Sequence, residues 1–189
     1  GGTTELVQFH PSYTYEDFFE GYRPVSTTGS GVAFEIKHGP LRRIATAALA
    51  EPTVPHVLII DEINRANLAK VFGELYFLLE YRDRAITLQY SDDEFALPAN
   101  LYVIGTMNTA DRSIALVDAA MRRRFFFLEL SPTHAPIAGL LDRWLTHKGL
   151  PDLAARLLEE LNRRLESPDA AIGPSYLMSP DVANEDYLR

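Results

Sequence analysis

The sequence predicts an α/β fold, a parallel sheet layered with helices, followed by a small all-helical unit. Three observations predict it. Short apolar runs rich in β-branched and aromatic residues at His56–Ile60, Leu101–Ile104 and Phe125–Leu130 have the length of buried parallel strands. Helical periodicities separate them, at Leu68–Leu79 and Ile114–Met121, and this alternation is that of a layered sheet. After Pro132 the pattern changes: Ile137–Leu145 and Leu153–Leu165 are helical, with nothing extended between them. The boundary falls at Ser131–Pro132, giving an α/β core over residues 1–131 and a helical lid over 132–189.

In order along the chain, Leu6–Phe9 reads as a short strand. Ser12 and Thr14 are each suited to cap a helix start, with Glu16 and Asp17 in the positive first turn. Val25–Gly39 is rich in Ser, Thr and Gly, and Val32–Ile36 alternates, which predicts a loop or small hairpin. Leu41, Ile44, Ala45, Ala48 and Leu49 recur at helical spacing, and Pro52 and Pro55 end that helix. Ile86–Leu88 is a further short strand. No internal repeat or low-complexity tract interrupts the series.

Composition bounds the function. With 189 residues, the chain holds one domain, or one domain and an appendage. The formal charge of −8 gives no overall attraction to nucleic acid or anionic membranes. There are no cysteines, hence no disulfides, thiolate metal site or Cys nucleophile, which fits a cytoplasmic protein. No apolar run is long enough to span a bilayer, so no membrane partner is expected. Gly1-Gly2-Thr3-Thr4 is not a signal peptide and lacks an initiator Met, and the chain reads as a fragment of something longer.

The chemistry concentrates at two strand ends. Asp61 and Glu62 directly follow a buried strand, where side chains of a parallel sheet project into the ligand crevice. There the first carboxylate suits a magnesium ion and the second suits a water attacking a phosphate. The same residues also suit a solvated turn. Asn108 follows a second buried strand, and if the two strands are neighbours it lies beside Glu62. A neutral amide can hold the attacking water without raising the carboxylate's pKa as another acid would. Asp111 and Arg112 open the next helix, and the same loop also suits Asp111 or Ser113 as a simple N-cap. Arg122, Arg123 and Arg124 end that helix; cations are favourable at a helix C-terminus, but three in succession also suit arginine fingers reaching a neighbouring subunit's phosphate. Lys37, Lys70 and Lys148 are the only lysines and none follows Gly, so no G-x-x-x-x-G-K-[ST] phosphate loop is present. The five histidines are scattered without metal-binding spacing, and no serine stands in a G-x-S-x-G context.

These motifs resemble those of McrB-type AAA+ proteins. Gln8–Phe18 and Glu20–Pro24 are similar to the segment after the family's second strand, and Ile59–Asn67 resembles the Walker B motif and its extension. Phe72–Leu75 matches the helix that follows. Met107–Ser113 resembles the signature loop with the sensor-1 Asn, and Asp118–Phe125 resembles the arginine-finger helix. Ile172–Met178 is similar to a lid motif usually written I-G-H-S-Y-F-M, from which Pro174 and Leu177 depart.

The resemblance implies an AAA+ (P-loop NTPase-like) sheet with a helical lid, lacking its first, central strand and phosphate loop. It implies that Asp61 holds Mg2+, that Glu62, Asn108, Arg123 and Arg124 are catalytic, and that Asp111, Arg112 and Ser175 belong to the nucleotide-binding surface. It implies GTP as substrate, with ATP in related members, and a hexameric ring of copies of the full protein. It also implies an McrC-like endonuclease partner and DNA bound through a domain absent here, so that modified DNA is restricted. An ATP-driven MoxR-like remodelling chaperone and an inert partner-binding module are the alternatives, the latter because the phosphate loop is missing. The aromatic stretch Tyr13 to Tyr22 either packs against the sheet or faces a ring pore or the nuclease.

Overall fold

The computed structural model describes residues 1–26, 32–108, 119–165 and 170–183. The chain divides into two compact units, Gly1–Phe126 and Phe127–Arg189.

The first unit is built on a parallel three-stranded sheet of β1 (Thr4–Gln8), β4 (His56–Asp61) and β7 (Leu101–Gly105), in the order β1-β4-β7. Between β1 and β4 lie α1 (Tyr15–Phe18), the antiparallel hairpin β2 (Glu20–Ser26) and β3 (Val32–His38), and α2 (Pro40–Ala50). Between β4 and β7 lie a 3-10 turn (Ile63–Arg65), α3 (Leu68–Phe72), α4 (Leu75–Glu80) and the small hairpin β5 (Ile86–Thr87) with β6 (Glu94–Phe95). α5 (Ala119–Arg122) follows.

Both helical crossovers step the same way across the sheet. Since such crossovers are right-handed, both lie on the same face. That face is the core: Leu58 and Ile60 of β4 pack with Ile44 and Ala48 of α2, Val71 and Phe72 of α3, and Leu78 of α4. The other face is not covered by any described residue in this unit. Leu6, Tyr102 and Ile104 are each at least 50% exposed there, flanking half-buried Val57 and Ile59. The expectation of strands buried on both faces is therefore corrected to one face.

Other boundaries also move. The hairpin starts at Glu20, earlier than the composition suggests, because Glu20–Ser26 pairs residue by residue with Val32–His38. The Leu68–Leu79 periodicity is split into α3 and α4 at Gly73, whose φ of 50° suits glycine. Phe125–Leu130 is not a strand. No described strand pairs with it, and Phe126, Leu128 and Leu130 are exposed. An apolar run without a ladder partner leaves its backbone groups to solvent and stays irregular. Most of the predicted Ile114–Met121 helix lies outside the described residues.

The aromatic stretch packs except at its end, where Tyr22 is 51% exposed. Tyr15, Phe18 and Phe19 are buried, Phe18 edge-on to Phe72 and Phe19 edge-on to Phe95. Burial and a 2.8 Å hydrogen bond to Glu74 push the Tyr15 hydroxyl well above its ordinary pKa. Tyr90 donates to Glu16 at 2.5 Å, which holds that carboxyl below its ordinary range. Beside them Glu20, fully buried, pairs with Arg42 and accepts from the Ser91 N–H at 3.1 Å. This ties α2 and the first hairpin to the β5–β6 turn.

The second unit contains α6 (Leu140–Lys148) and α7 (Leu153–Arg164), followed by 3-10 turns at Pro174–Leu177 and Pro180–Ala183. Leu141, Leu145, Ala154, Leu158 and Val182 form its core, with Trp144 packed against them. α6 begins three residues later than its periodicity predicts, after Gly139 takes a left-handed conformation. Asn162 of α7 donates to the Ile172 carbonyl (2.9 Å) and accepts from the Ile172 N–H (2.7 Å), which fixes the returning chain.

Candidate active site at the strand ends

β4 and β7 are neighbours, so Asp61 at the end of β4 lies beside the carboxyl end of β7. Gln8 of β1 is in register with Asp61, and Gly105 of β7 with Ile60. The next residue, Thr106, therefore stands opposite Asp61. Gln8, Asp61 and Thr106 form one polar row at the carboxyl edge of the uncovered sheet face.

The row is hydrogen-bonded throughout. The Thr106 hydroxyl donates to Asp61 Oδ1 at 2.6 Å, and Gln8 Nε2 donates to Asp61 Oδ2 at 3.2 Å. Both carboxylate oxygens are thus oriented by neighbouring strands. Neither Gln8 nor Thr106 is picked out by the sequence, where each reads as an ordinary polar residue at a strand end. Strand register alone brings them to Asp61.

Glu62 has φ 55° and ψ 44°, the left-handed region that non-glycine residues seldom occupy. Such strain collects at functional sites. Thr106 holds the bend: its Oγ1 accepts from the Glu62 N–H at 3.3 Å, its carbonyl accepts from the Ile63 N–H at 2.9 Å, and its own N–H donates to the Ile60 carbonyl at 2.9 Å. The bend brings Ile63 over Gly105, where an added Cβ would meet Ile63 Cδ1 at 2.8 Å. The Glu62 Oε2 is buried and accepts no hydrogen bond among the described residues. Arg65 Nε lies 3.3 Å from it, close enough for an ion pair but not aligned as a hydrogen bond. Asn64, buried beside it in sequence, likewise has an unsatisfied Oδ1 among the described residues.

The remaining expected site residues are dispersed. Asn108 is exposed, three residues past the end of β7. Asp111 and Arg112 lie outside the described residues. Arg123 is exposed, whereas Arg124 is turned into its own unit, 2.8 Å from Glu80 and over the Tyr76 ring at 5.3 Å. Ser175 is exposed on a 3-10 turn of the second unit. That unit has a cavity of about 450 Å³, lined by Ile137, Leu141, Leu158, Asn162 and Pro174 among others.

The donor set suits magnesium. Among the described residues no three His, Cys, Asp or Glu side chains converge on a metal site. Mg2+ typically takes one or two carboxylates and keeps waters and substrate phosphates as its other ligands. One oriented carboxylate with a hydroxyl beside it matches that mode.

Residues 1–125 match the AAA domain family, dynein-related subfamily. The chain belongs to this family. Among curated proteins, the Type IV methyl-directed restriction enzyme EcoKMcrB subunit of Escherichia coli (strain K12) is 48% identical over 134 residues, 67% of this chain and 28% of that protein. The Type II restriction enzyme BsuMI component YdiS of Bacillus subtilis (strain 168) is 27% identical over 230 residues, 97% of this chain and 66% of that protein. The chain thus spans less than two thirds of the length of either relative. The likeness to McrB-type proteins read from the motifs is borne out, and so is the α/β AAA class of the fold. No helix among the described residues of this AAA domain is long and apolar enough to cross a membrane.

Proposed function

We propose that this AAA domain is part of a nucleoside triphosphatase motor of a restriction system, hydrolysing GTP, or ATP as in related members, to drive cleavage of modified DNA by an McrC-like endonuclease. The observation that carries the reading is the paired carboxylates at the end of β4, one oriented by both neighbouring strands and the other on a strained left-handed residue. The similarity to two restriction-enzyme components supports the setting.

In this mechanism Asp61 would hold Mg2+ in the fixed orientation given by Thr106 and Gln8. When bound, the ion neutralises charge on the phosphates. Glu62 orients the attacking water and accepts its proton. Asn108 holds the same water through its amide. Arg123, exposed at the end of α5, reaches a neighbour's γ-phosphate in a hexameric ring, and Arg124 supports that edge while tied to Glu80. Asp111, Arg112 and Ser175 complete the nucleotide surface, and residues 132–189 act as the lid. The site lies in the cytoplasm, with DNA read by a domain outside these residues. These 189 residues carry no G-x-x-x-x-G-K-[ST] loop, so by themselves they do not turn over nucleotide.

The test is turnover of GTP and ATP, side by side, by the natural polypeptide carrying this chain, compared with Glu62→Gln. Replacing a general base typically lowers turnover by about 10²–10⁴-fold. GTP turnover lost in the variant is the expected result. Robust turnover by the isolated 189 residues, or a fully active Glu62→Gln protein, refutes the assignment. A clear preference for ATP favours the remodelling alternative.

A further inference from the structure

We infer that Thr106 is a positioning residue that sets both carboxylates of the site at once: its hydroxyl fixes the Asp61 side chain while accepting the backbone N–H of the strained Glu62. The inference rests on the proposed roles of Asp61 and Glu62.

The geometry is specific to this side chain. A single oxygen donates to Asp61 Oδ1 at 2.6 Å and accepts from the Glu62 N–H at 3.3 Å. A hydroxyl can do both, having one hydrogen and two lone pairs. A methyl or an ammonium group cannot. The Thr106 backbone is held independently, by Ile60 on one side and Ile63 on the other. The hydroxyl is therefore presented on a scaffold that its removal need not disturb. Valine keeps the shape and β-branching and deletes only the oxygen's hydrogen bonds. Serine keeps the oxygen.

The coupling has a mechanistic consequence. A carboxylate bound to a hydroxyl on one oxygen and an amide on the other has one rotamer to offer a cation. The left-handed Glu62 turns the chain directly after that carboxylate. Thr106 ties the two, so that the metal-side acid and the water-side acid keep a constant relation. Losing the hydroxyl loosens both together, which a defect in either acid alone does not.

Two measurements test this. In the 189-residue chain without nucleotide, amide hydrogen exchange at Glu62 is compared among wild type, Thr106→Val and Thr106→Ser, with Leu58 and Ile60 as references. A hydrogen bond of ordinary strength makes exchange about tenfold faster on its loss. Thr106→Val is expected to accelerate exchange at Glu62 by about that factor, with the references unchanged, and Thr106→Ser to restore protection. In the natural polypeptide, the Mg2+ concentration for half-maximal turnover is expected to rise about tenfold in Thr106→Val, with the nucleotide KM unchanged, and to return in Thr106→Ser. Unchanged Glu62 exchange, or an unchanged Mg2+ midpoint in Thr106→Val while Asp61→Asn is crippled, overturns the positioning role and leaves the site reading intact. An Asp61→Asn protein with a wild-type Mg2+ response overturns both.

Discussion

Replacing Arg42 by Met tests whether the first unit is held by a buried ion pair. Glu20 is fully buried and its carboxylate has two partners, the Arg42 guanidinium and the Ser91 N–H. Arg42 is 13% exposed and also reaches Asp93 at 2.5 Å, but Asp93 is 56% exposed, so that arm contributes little. Met keeps an unbranched aliphatic stem and removes the guanidinium, whose Cζ lies 5.8 Å from the Phe19 ring centroid. What remains is a buried carboxylate with one amide donor. Breaking a buried pair from one side costs about 3–5 kcal/mol, and the surviving Ser91 bond puts this case near the lower end, at about 3 kcal/mol. Restoring apolar packing with Glu20→Leu in the same chain should recover most of that loss, because the stranded charge, not the lost attraction, is the source of the penalty. The assay is urea unfolding at neutral pH, followed by tyrosine signal, to which the first unit contributes seven of the nine tyrosines, with Trp144, the single tryptophan, reporting the second core separately. A loss below about 1 kcal/mol in Arg42→Met, the range of an exposed pair, refutes the reasoning. So does a double variant no more stable than the single one.

Two further predictions concern the second unit. Asn162→Ala leaves both backbone groups of Ile172 without their side-chain partner, and we expect a loss of about 2 kcal/mol, read as a lowered urea midpoint of Trp144 fluorescence; an unchanged midpoint counts against the Asn162 bridge. Arg163 and then Arg164 hold the Glu160 carboxyl at about 2, below its ordinary 4.5, through hydrogen bonds of 2.7 to 2.8 Å. A depressed folded-state pKa stabilises above the unfolded value and is lost as pH falls through the folded one. The stability difference between wild type and Glu160→Gln should therefore be full at neutral pH, shrink below 4.5 and vanish near 2. A difference that persists at the acid end refutes the ion-pair origin.

What was legible in the sequence was whatever local periodicity or strand-end chemistry encodes. The spacing of Leu41, Ile44, Ala45 and Ala48 foretells α2 because those residues are the ones it buries. The run ending in Asp61 foretells β4 and the place of the carboxylates. Phe125–Leu130 misleads because its composition matches a buried strand, but a strand exists only with a neighbour, and no described strand pairs with it. Gly73 likewise divides a periodicity that continues unbroken through it, since Leu68, Val71 and Phe72 lie before the break and Leu75 and Leu78 after it.

The site shows the same division at finer scale. Asp61 and Glu62 stand at the end of one strand and Asn108 three residues past the end of another, and position along a strand is enough to suggest them. Gln8 and Thr106 act across strands, 53 and 45 residues from Asp61 in sequence, and only the parallel register β1-β4-β7 makes them neighbours. The left-handed turn at Glu62 is invisible for a related reason. Glutamate has no preference for that region, so the conformation is imposed by the three hydrogen bonds that join Thr106 to Ile60, Glu62 and Ile63. A residue that encodes a conformation reveals it in the sequence; a residue held in one by its neighbours does not. On that argument Asp61 and Glu62 are visible by their own identities, whereas Thr106, whose hydroxyl bonds to both, is not. A search by motif alone finds the acids and misses the hydroxyl that hydrogen-bonds to both.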